Sequence, residues 1–390
     1  MSKHRNTPEL RFPEFKDEWK NNELGKLLSI ISGHSPSYYS EGSEYPLYKV
    51  NDLNNNSKFQ DYSDLYVEKK HTPLNKKVII FPKRGAAILL NKIRIINTPG
   101  YIDTNLMGLE FNDVNDTEFY YYAILREGLY RIADTSTIPQ INNKHILPYK
   151  IYSPSYIEKN KLGNFFSKLD RQIELEEEKL ELLEQQKKGY MQKIFSQELR
   201  FKDENGKDYP AWEIKKLGDL YKYQQGQQIP VENQYKIPIN NMKRFIRIVD
   251  ITENPKKRYI KDRKESGLIN QKDLIMIRYG ASAGTISMGY EGVIANNLFK
   301  FVKKQNVDNR YFYFLLKKSH FKIKSLSSQS AMPALNFNAM NTLKFSIPQY
   351  SEQQKIGDFF SELDKLVEKQ VSKIELLKQR KQGLLQKMFV

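Results

Sequence analysis

Gly163-Asn-Phe-Phe-Ser-Lys-Leu-Asp170 returns 194 residues further on as Gly357-Asp-Phe-Phe-Ser-Glu-Leu-Asp364. Worked outward from there, Pro154 to Phe195 aligns without a gap on Pro348 to Phe389, and 21 of the 42 positions are identical. Glu181-Leu-Leu matches Glu375-Leu-Leu, and Gly189 with Gln192 and Lys193 matches Gly383 with Gln386 and Lys387. A repeat of this length is a duplicated structural unit, and it outweighs every local signal in deciding the architecture. Two copies in one chain imply an approximate internal two-fold pseudo-symmetry.

The duplication continues upstream, more faintly. Leu10-Arg-Phe12, Trp19, Leu24-Gly25 and Gly33 correspond to Leu199-Arg-Phe201, Trp212, Leu217-Gly218 and Gly226, with four extra residues between Phe201 and Trp212. Pro139 and Asn142 match Pro333 and Asn336. Between these anchors the halves diverge almost completely. The chain therefore reads as a variable block over 1–153, a repeated segment over 154–197, a second variable block over 198–347 and a second repeated segment over 348–390. One scaffold carrying two different recognition surfaces has this pattern.

The repeated segments read as long helices. Asp170 to Phe195 holds no proline and is dense in Glu, Leu, Gln and Lys, all good helix formers. A heptad frame from Phe166 puts Phe166, Ile173, Leu180, Lys187 and Ile194 at a, with Leu169, Glu176, Leu183 and Tyr190 at d. The second copy puts Phe360, Val367, Ile374, Lys381 and Met388 at a, with Leu363, Gln370, Leu377 and Leu384 at d. The seam is apolar, and its polar breaks fall at equivalent places in both copies, where they can fix register at some cost in stability. Each helix is expected to span about 30 to 40 residues, roughly 45–60 Å. The favoured arrangement is antiparallel pairing within the chain; pairing of each helix with a second chain is the alternative. The predicted fold is mixed α/β (α+β), with two globular domains separated by two long antiparallel coiled-coil helices.

Composition narrows the function. The chain has 390 residues, enough for two substantial cores, and no cysteine, which excludes disulfides and thiolate metal sites. Its five histidines show no paired metal-ligand spacing, so no metal is expected. No apolar run reaches the length of a membrane span and no secretory leader is visible, so a cytoplasmic location away from membranes is expected. The net charge is +17 and uneven, about +2 over residues 1–150 against +13 over 201–350. Such a balance serves solubility or a polyanion partner, and the abundance of Tyr, Asn and Gln beside the basic residues tilts the reading toward nucleic acid.

Within the variable blocks, Lys77 to Phe81 and Leu274 to Arg278 read as strands ending in glycine turns, and Glu118 to Ile132 and Asn309 to Lys324 read as helices. Lys83-Arg84-Gly85-Ala86 corresponds loosely to Arg278-Tyr279-Gly280-Ala281, followed in the second block by Ser282, Gly284 and Thr285. Lys92 lies a little beyond the first turn, and Asn105 matches Asn296 or Asn297. Two further loops hold His34 and Ser35, matched by Gln227 and Gln228, and Thr137, Gln140, Asn142 and Lys144, matched by Ser330, Asn336 and Asn338. Asn and Gln can bond adenine bidentately and Lys or Arg can bond guanine, so these loops are candidate base readers. Each such residue is equally suited to a plain turn.

Signatures of catalysis are lacking. No P-loop occurs, the glycine pair Gly280 and Gly284 has no Lys-Ser/Thr after it, and no adenine-methyltransferase or dinucleotide motif is visible. Asp250 and Asp273 lie near strands without a second carboxylate and lysine to complete a nuclease set. Binding without catalysis leads.

The order variable block, then P-x-Y-x-E-x-x-K-[LI]-G-x-F-F-x-x-L-D, then long helix, all twice over, resembles the specificity subunit of type I restriction-modification systems. The Trp-x-x-x-x-Leu-Gly starts at Trp19 and Trp212, preceded by Leu-Arg-Phe, also resemble that family. The resemblance implies that each variable block is a target-recognition domain reading one half of a bipartite, asymmetric sequence in double-stranded DNA. It implies that the helices act as a ruler, and their length suits half-sites about one turn apart, ~34–36 Å. It further implies two modification subunits that use S-adenosylmethionine and two restriction subunits that use ATP and Mg, with no cofactor bound by this chain. One departure stands out: Arg84-Gly85-Ala86-Ala87 lacks the second glycine found at Gly284. The competing readings are a coiled-coil adaptor without DNA and a self-contained DNA methyltransferase or nuclease.

Overall fold

The structure is a computed structural model, and it describes residues 6–55, 57–75, 77–134, 138–253, 256–261, 266–327 and 333–390. Contacts divide the chain into two compact units, Met1–Glu178 with Val371–Val390, and Lys179–Gln370. Each unit therefore holds one variable block, the start of the helix that follows it and the end of the other long helix.

In the first unit, Leu106–Phe111 lies between Leu28–Ser32 and Ile79–Pro82, antiparallel to both. It is nearly all buried, as a central strand must be. Arg94–Ile96 and Phe59–Gln60 complete this five-stranded sheet, and Glu41–Tyr48 with Tyr66–Val67 and Tyr101–Ile102 forms a second, three-stranded one. Lys20–Glu23 pairs with Lys150–Ser153, joining the two ends of the block just before the long helix Tyr156–Phe195 begins.

The second unit repeats the scheme. Leu298–Lys303 lies between Tyr221–Gln225 and Ile275–Ile277, Ile286–Ser287 completes that sheet, and Met242–Ile246 with Arg258–Lys261, Gly292–Ile294 and Leu268–Ile269 forms the other. Glu213–Lys216 pairs with Lys344–Ile347 just before the second long helix, Tyr350–Met388. The fold is mixed α and β in both units.

The block helices are shorter than the sequence predicts, for local reasons. The first spans Thr117–Glu127 and ends where Gly128 takes φ +76°, a left-handed conformation that stops a helix; Leu129–Ile132 is a separate 3-10 turn. The second spans Asn309–Lys318 and breaks at Ser319 before a short helix over His320–Lys324.

The repeated motif earns its conservation of shape by packing. Phe166 and Phe360 are fully buried, while the preceding Phe165 and Phe359 take Phe12 and Phe201 edge-on at 5.8 and 5.5 Å. A Cβ on Gly163 would sit 2.9 Å from Glu118 Cβ, and one on Gly357 would sit 2.9 Å from Asp308 Oδ1, so only glycine lets each long helix approach its block helix this closely.

Within the first unit, positions 166, 170 and 176 meet 389, 381 and 373, so the two long helices run antiparallel. In the second unit, 187 and 190 meet 364 and 359 in the same sense. Phe166, Ile173, Phe360 and Ile374 of the seam are buried, and Leu169, Leu180, Leu183, Leu363, Val367 and Leu377 are half-buried. The polar a positions explain themselves: Lys381 pairs with Asp170 and Lys187 pairs with Asp364, two equivalent ion pairs. Phe389 enters the first core beside Trp19, Phe119 and Phe166, and Phe195 packs on Tyr311 and Phe360 in the second.

Candidate nucleic-acid interface

Three loops converge in each unit, and the same backbone hydrogen bonds hold them. In the first unit Lys83 N–H donates to Asn105 C=O (2.8 Å), Gly85 N–H to Pro139 C=O (2.9 Å) and Ile141 N–H to Lys83 C=O (2.9 Å). In the second, Arg278 N–H donates to Asn297 C=O (2.9 Å), Gly280 N–H to Pro333 C=O (2.8 Å) and Leu335 N–H to Arg278 C=O (3.0 Å). The loose sequence correspondence thereby becomes a register: Lys83 with Arg278, Arg84 with Tyr279, Gly85 with Gly280, and Asn105 with Asn297. Gly85 and Gly280 both take positive φ, +79° and +89°, which a side chain would strain.

A fourth strand end joins this junction. His34 N–H donates to Ile102 C=O (3.2 Å) and Gln227 N–H to Ile294 C=O (2.8 Å). The preceding glycines allow it: a Cβ on Gly33 would lie 2.0 Å from Asp103 O, and one on Gly226 would lie 2.1 Å from Ile294 O.

On this common frame the side chains differ. In the first unit Lys83 is half-buried beside exposed Arg84, and burial together with the Arg84 charge holds its ammonium below the ordinary lysine range. Asn105 donates to Asp103 through both its backbone (2.9 Å) and its side chain (3.3 Å). His34 and Ser35 are exposed; His34 stacks on Tyr38 at 4.5 Å, and His71 and Tyr39 close around it. Gln140 bridges Arg84 and Asp134 through the backbone.

In the second unit Arg278 donates to Gln225 Oε1 (2.5 Å) and lies 4.2 Å from the Phe337 ring centroid and 4.9 Å from that of Tyr279. Gln225 in turn donates to Asn296 C=O (2.5 Å). The turn closes through Thr285 N–H to Ser282 C=O (3.1 Å). Gln227 bonds Ser266 C=O, and Gln228 beside it is exposed.

Other sequence candidates have structural duties or lie elsewhere. Asn142 and Asn336 are equivalent helix N-caps, and Asn336 accepts from Asn338 N–H at 2.8 Å. Lys144 is exposed on the short helix that Asn142 caps. Lys92 is bonded to Asn54. Thr137 and Ser330 lie outside the described residues. Asp250 accepts from Arg244 and Arg247, and Asp273 accepts from Asn270 N–H, so both carboxylates serve local structure.

Several residues at the junction escaped the sequence reading. Gln225 stood one residue before a recognised glycine, so its position was legible in principle. His71 stands 5.5 Å from His34 and Tyr101 packs on His71 at 4.7 Å; these segments lie far apart in sequence, and no local pattern announces them. The same holds for Lys58, buried and bonded to Glu118 (2.7 Å) and Ser167 (2.9 Å), which ties the block to its long helix.

Two domains built on one frame, each ending in a loop junction with different side chains, define a duplicated recognition protein. The family model described as type I restriction modification DNA specificity domain matches residues 16–185 and again 210–379, and the chain belongs to that family. In Methanocaldococcus jannaschii it resembles the type I restriction enzyme MjaIX specificity subunit, 23% identical over 95% of this chain and 92% of that protein. It also matches the MjaVIII specificity subunit of that organism, 24% identical over 50% of this chain; this match spans about half, 46%, of that relative's length. Among solved structures it is similar to the type I restriction-modification S subunit from M. genitalium, with a TM-score of 0.65, 17% identity and coverage of 98% and 99% of the two chains. A structure from a study of type I system assembly and conformational transition gives a TM-score of 0.57 at 14% identity, covering 96% of this chain and 98% of that one.

Proposed function

We propose that this chain is the DNA sequence-recognition subunit of a type I restriction-modification complex. Each recognition domain reads one half of a bipartite, asymmetric target. The observation that carries this reading is the pair of loop junctions: identical backbone bonds present Lys83, Arg84 and His34 in one unit and Arg278, Tyr279 and Gln227 in the other. A shared frame with different reading groups suits two different half-sites, since base-edge contacts specify while phosphate contacts position.

The long helices set the gap and dock two modification subunits, which supply S-adenosylmethionine-dependent adenine methylation. Two restriction subunits supply ATP- and Mg-dependent translocation and cleavage. This chain supplies the address and none of that chemistry. Among the described residues no helix is long and apolar enough to cross a membrane, and the cytoplasm, where the DNA is, is the proposed location.

The test is the pattern of methylated adenines in a host genome with and without this gene, with the partner subunits expressed. Loss of one bipartite motif is the expected result and supplies both half-sites. Unchanged methylation overturns the assignment and favours an adaptor role.

A further inference from the structure

The corner after the block helix differs sharply between the units. In the second unit it reads Lys317-Lys318-Ser-His-Phe-Lys-Ile-Lys324, and Lys317, Lys318, Lys322 and Lys324 are all exposed. None of the four forms an ion pair with a described carboxylate: Lys317 meets the Tyr313 hydroxyl (3.4 Å) and ring, Lys318 the Phe195 ring, and Lys322 the Lys344 C=O (3.3 Å) and the Phe345 ring. The equivalent corner of the first unit has Arg126 and Arg131, and both pair with Glu127. One corner holds four lysines without an ion pair among the described residues. In the other, two arginines share one glutamate.

Position strengthens the contrast. Ile323 is fully buried, and a Cβ on Gly284 would touch it at 3.3 Å, with Lys324 N at 3.7 Å. His320 Nδ1 lies 3.3 Å from Gly284 O. The short helix His320–Lys324 thus packs its inner face on the Arg278–Thr285 turn and turns its lysines outward. Phe321 is 86% exposed, more than any other large apolar side chain of the described residues, and its ring meets the edge of the neighbouring His320 ring at 5.9 Å.

We infer that Lys317, Lys322 and Lys324, with the Phe321 ring, form a sequence-independent contact to the DNA backbone flanking the second half-site. The three ammonium groups neutralise phosphates just outside the bases read by the junction, and the ring rests against the sugar edge between them. This inference rests on the proposed DNA-recognition role and adds a surface outside the reading loops. The asymmetry is functional: the second domain holds DNA through this flank while the first depends on its reading loops.

The experiment uses the full chain with its modification subunits and a duplex carrying the bipartite motif found by methylation mapping. The triple variant Lys317→Gln, Lys322→Gln, Lys324→Gln is compared with wild type from 50 to 200 mM salt. Each lost phosphate contact lowers the salt slope by about 0.9, so three lower it by about 2.7, an about 40-fold smaller fall in affinity over that range. Discrimination against single-base changes in either half-site stays as in wild type. The triple Lys→Arg variant retains the wild-type slope, which separates charge from folding. A duplex ending at the outer edge of the second half-site removes the difference between variant and wild type.

An unchanged slope on the long duplex overturns the inference, as does an equal loss on the truncated one. Weakened assembly with the modification subunits at an unchanged slope also overturns it and assigns the patch to a protein partner. If wild type itself shows no preference for the motif, the DNA-recognition reading fails first and this inference falls with it.

Discussion

Arg11 donates two hydrogen bonds of 2.7 Å to the Glu158 carboxylate, from Nε to Oε1 and from Nη2 to Oε2. Arg200 and Glu352 repeat the pair across the duplication, at 3.2 and 2.7 Å. Both glutamates are at most 1% exposed and stand in the first turn of a long helix. The Leu-Arg-Phe segments are thereby clamped to the helices, with the arginine holding the carboxylate and the phenylalanine resting on the outer ring of the Phe-Phe pair. This fork geometry gives bidentate pairing its strength, and the hydrogen bond to Glu158 raises the Arg11 pKa.

Removing one partner leaves a buried charge uncompensated, which costs about 3–5 kcal/mol. Arg11→Ala is therefore expected to destabilise the first unit by that order, and the double variant with Glu158→Leu is expected to recover a large part of it. The two tryptophans, one in each unit, make the measurement selective. Urea unfolding followed by Trp19 fluorescence in a Trp212→Phe background should show the loss, while Trp212 in a Trp19→Phe background should report a smaller change. A midpoint that Arg11→Ala leaves in place would sink this account of the clamp.

Gly33 and Gly226 each lie where a methyl group would overlap a carbonyl oxygen well inside van der Waals contact, at 2.0 and 2.1 Å. Overpacking of this kind forces backbone shifts costing about 1–3 kcal/mol, roughly 5- to 150-fold in an equilibrium. Gly33→Ala should weaken discrimination at the first half-site by about that factor and leave the second half-site read as before; Gly226→Ala should do the reverse. Binding competition with duplexes altered in one half-site at a time checks both. Equal losses at both half-sites would show that these glycines serve general stability instead.

The repeat made the architecture legible because it carries its own packing code. The Phe-Phe pair, the glycine before it and the lysines at a pack against the block helix or the other long helix, and the second copy repeats the arrangement. The loop junctions are only half legible in the sequence. Turns such as Lys83 to Ala86 could be matched to Arg278 to Ala281 because glycine marks them. The tertiary packing that brings His71 against His34, and Tyr101 against His71, leaves no local trace. Asn142 and Asn336 illustrate the other limit: the same residue type caps helices and contacts bases, and the backbone around it decides. The helix breaks at Gly128 and Ser319 were missed because the apolar pattern continues across them.

Buried tyrosines set the alkaline limit of the fold. Burial pushes the hydroxyls of Tyr39, Tyr120 and Tyr149 up to about 12, and pushes Tyr122 higher still with the Asp170 carboxylate beside it. The unfolded chain releases these protons near pH ~10, while the folded chain holds them. Their contribution is thus complete below about pH 10 and is lost as pH rises through the folded values. The urea midpoint should stay level between pH 8 and 9.5 and fall from there to pH 11. A midpoint that stays level up to pH 11 would contradict it.

Gly189 and Gly383 are the repeated glycines without a packing reason. Both lie inside long helices, and a Cβ on either would have no heavy atom within 4 Å. A helix-interior glycine costs about 0.5–1 kcal/mol relative to alanine, so Gly189→Ala and Gly383→Ala should each stabilise the isolated chain by that amount. Both copies keep a residue that weakens the helix, and the chain alone gains nothing from it. Under the proposed role, the open face at these positions receives another backbone at close range. The alanine variants should then unfold at higher urea concentration by themselves yet bind the modification subunits more weakly than wild type. Stabilisation with unchanged assembly would leave the two glycines without any contact to explain them; destabilisation would show that the helices bend there.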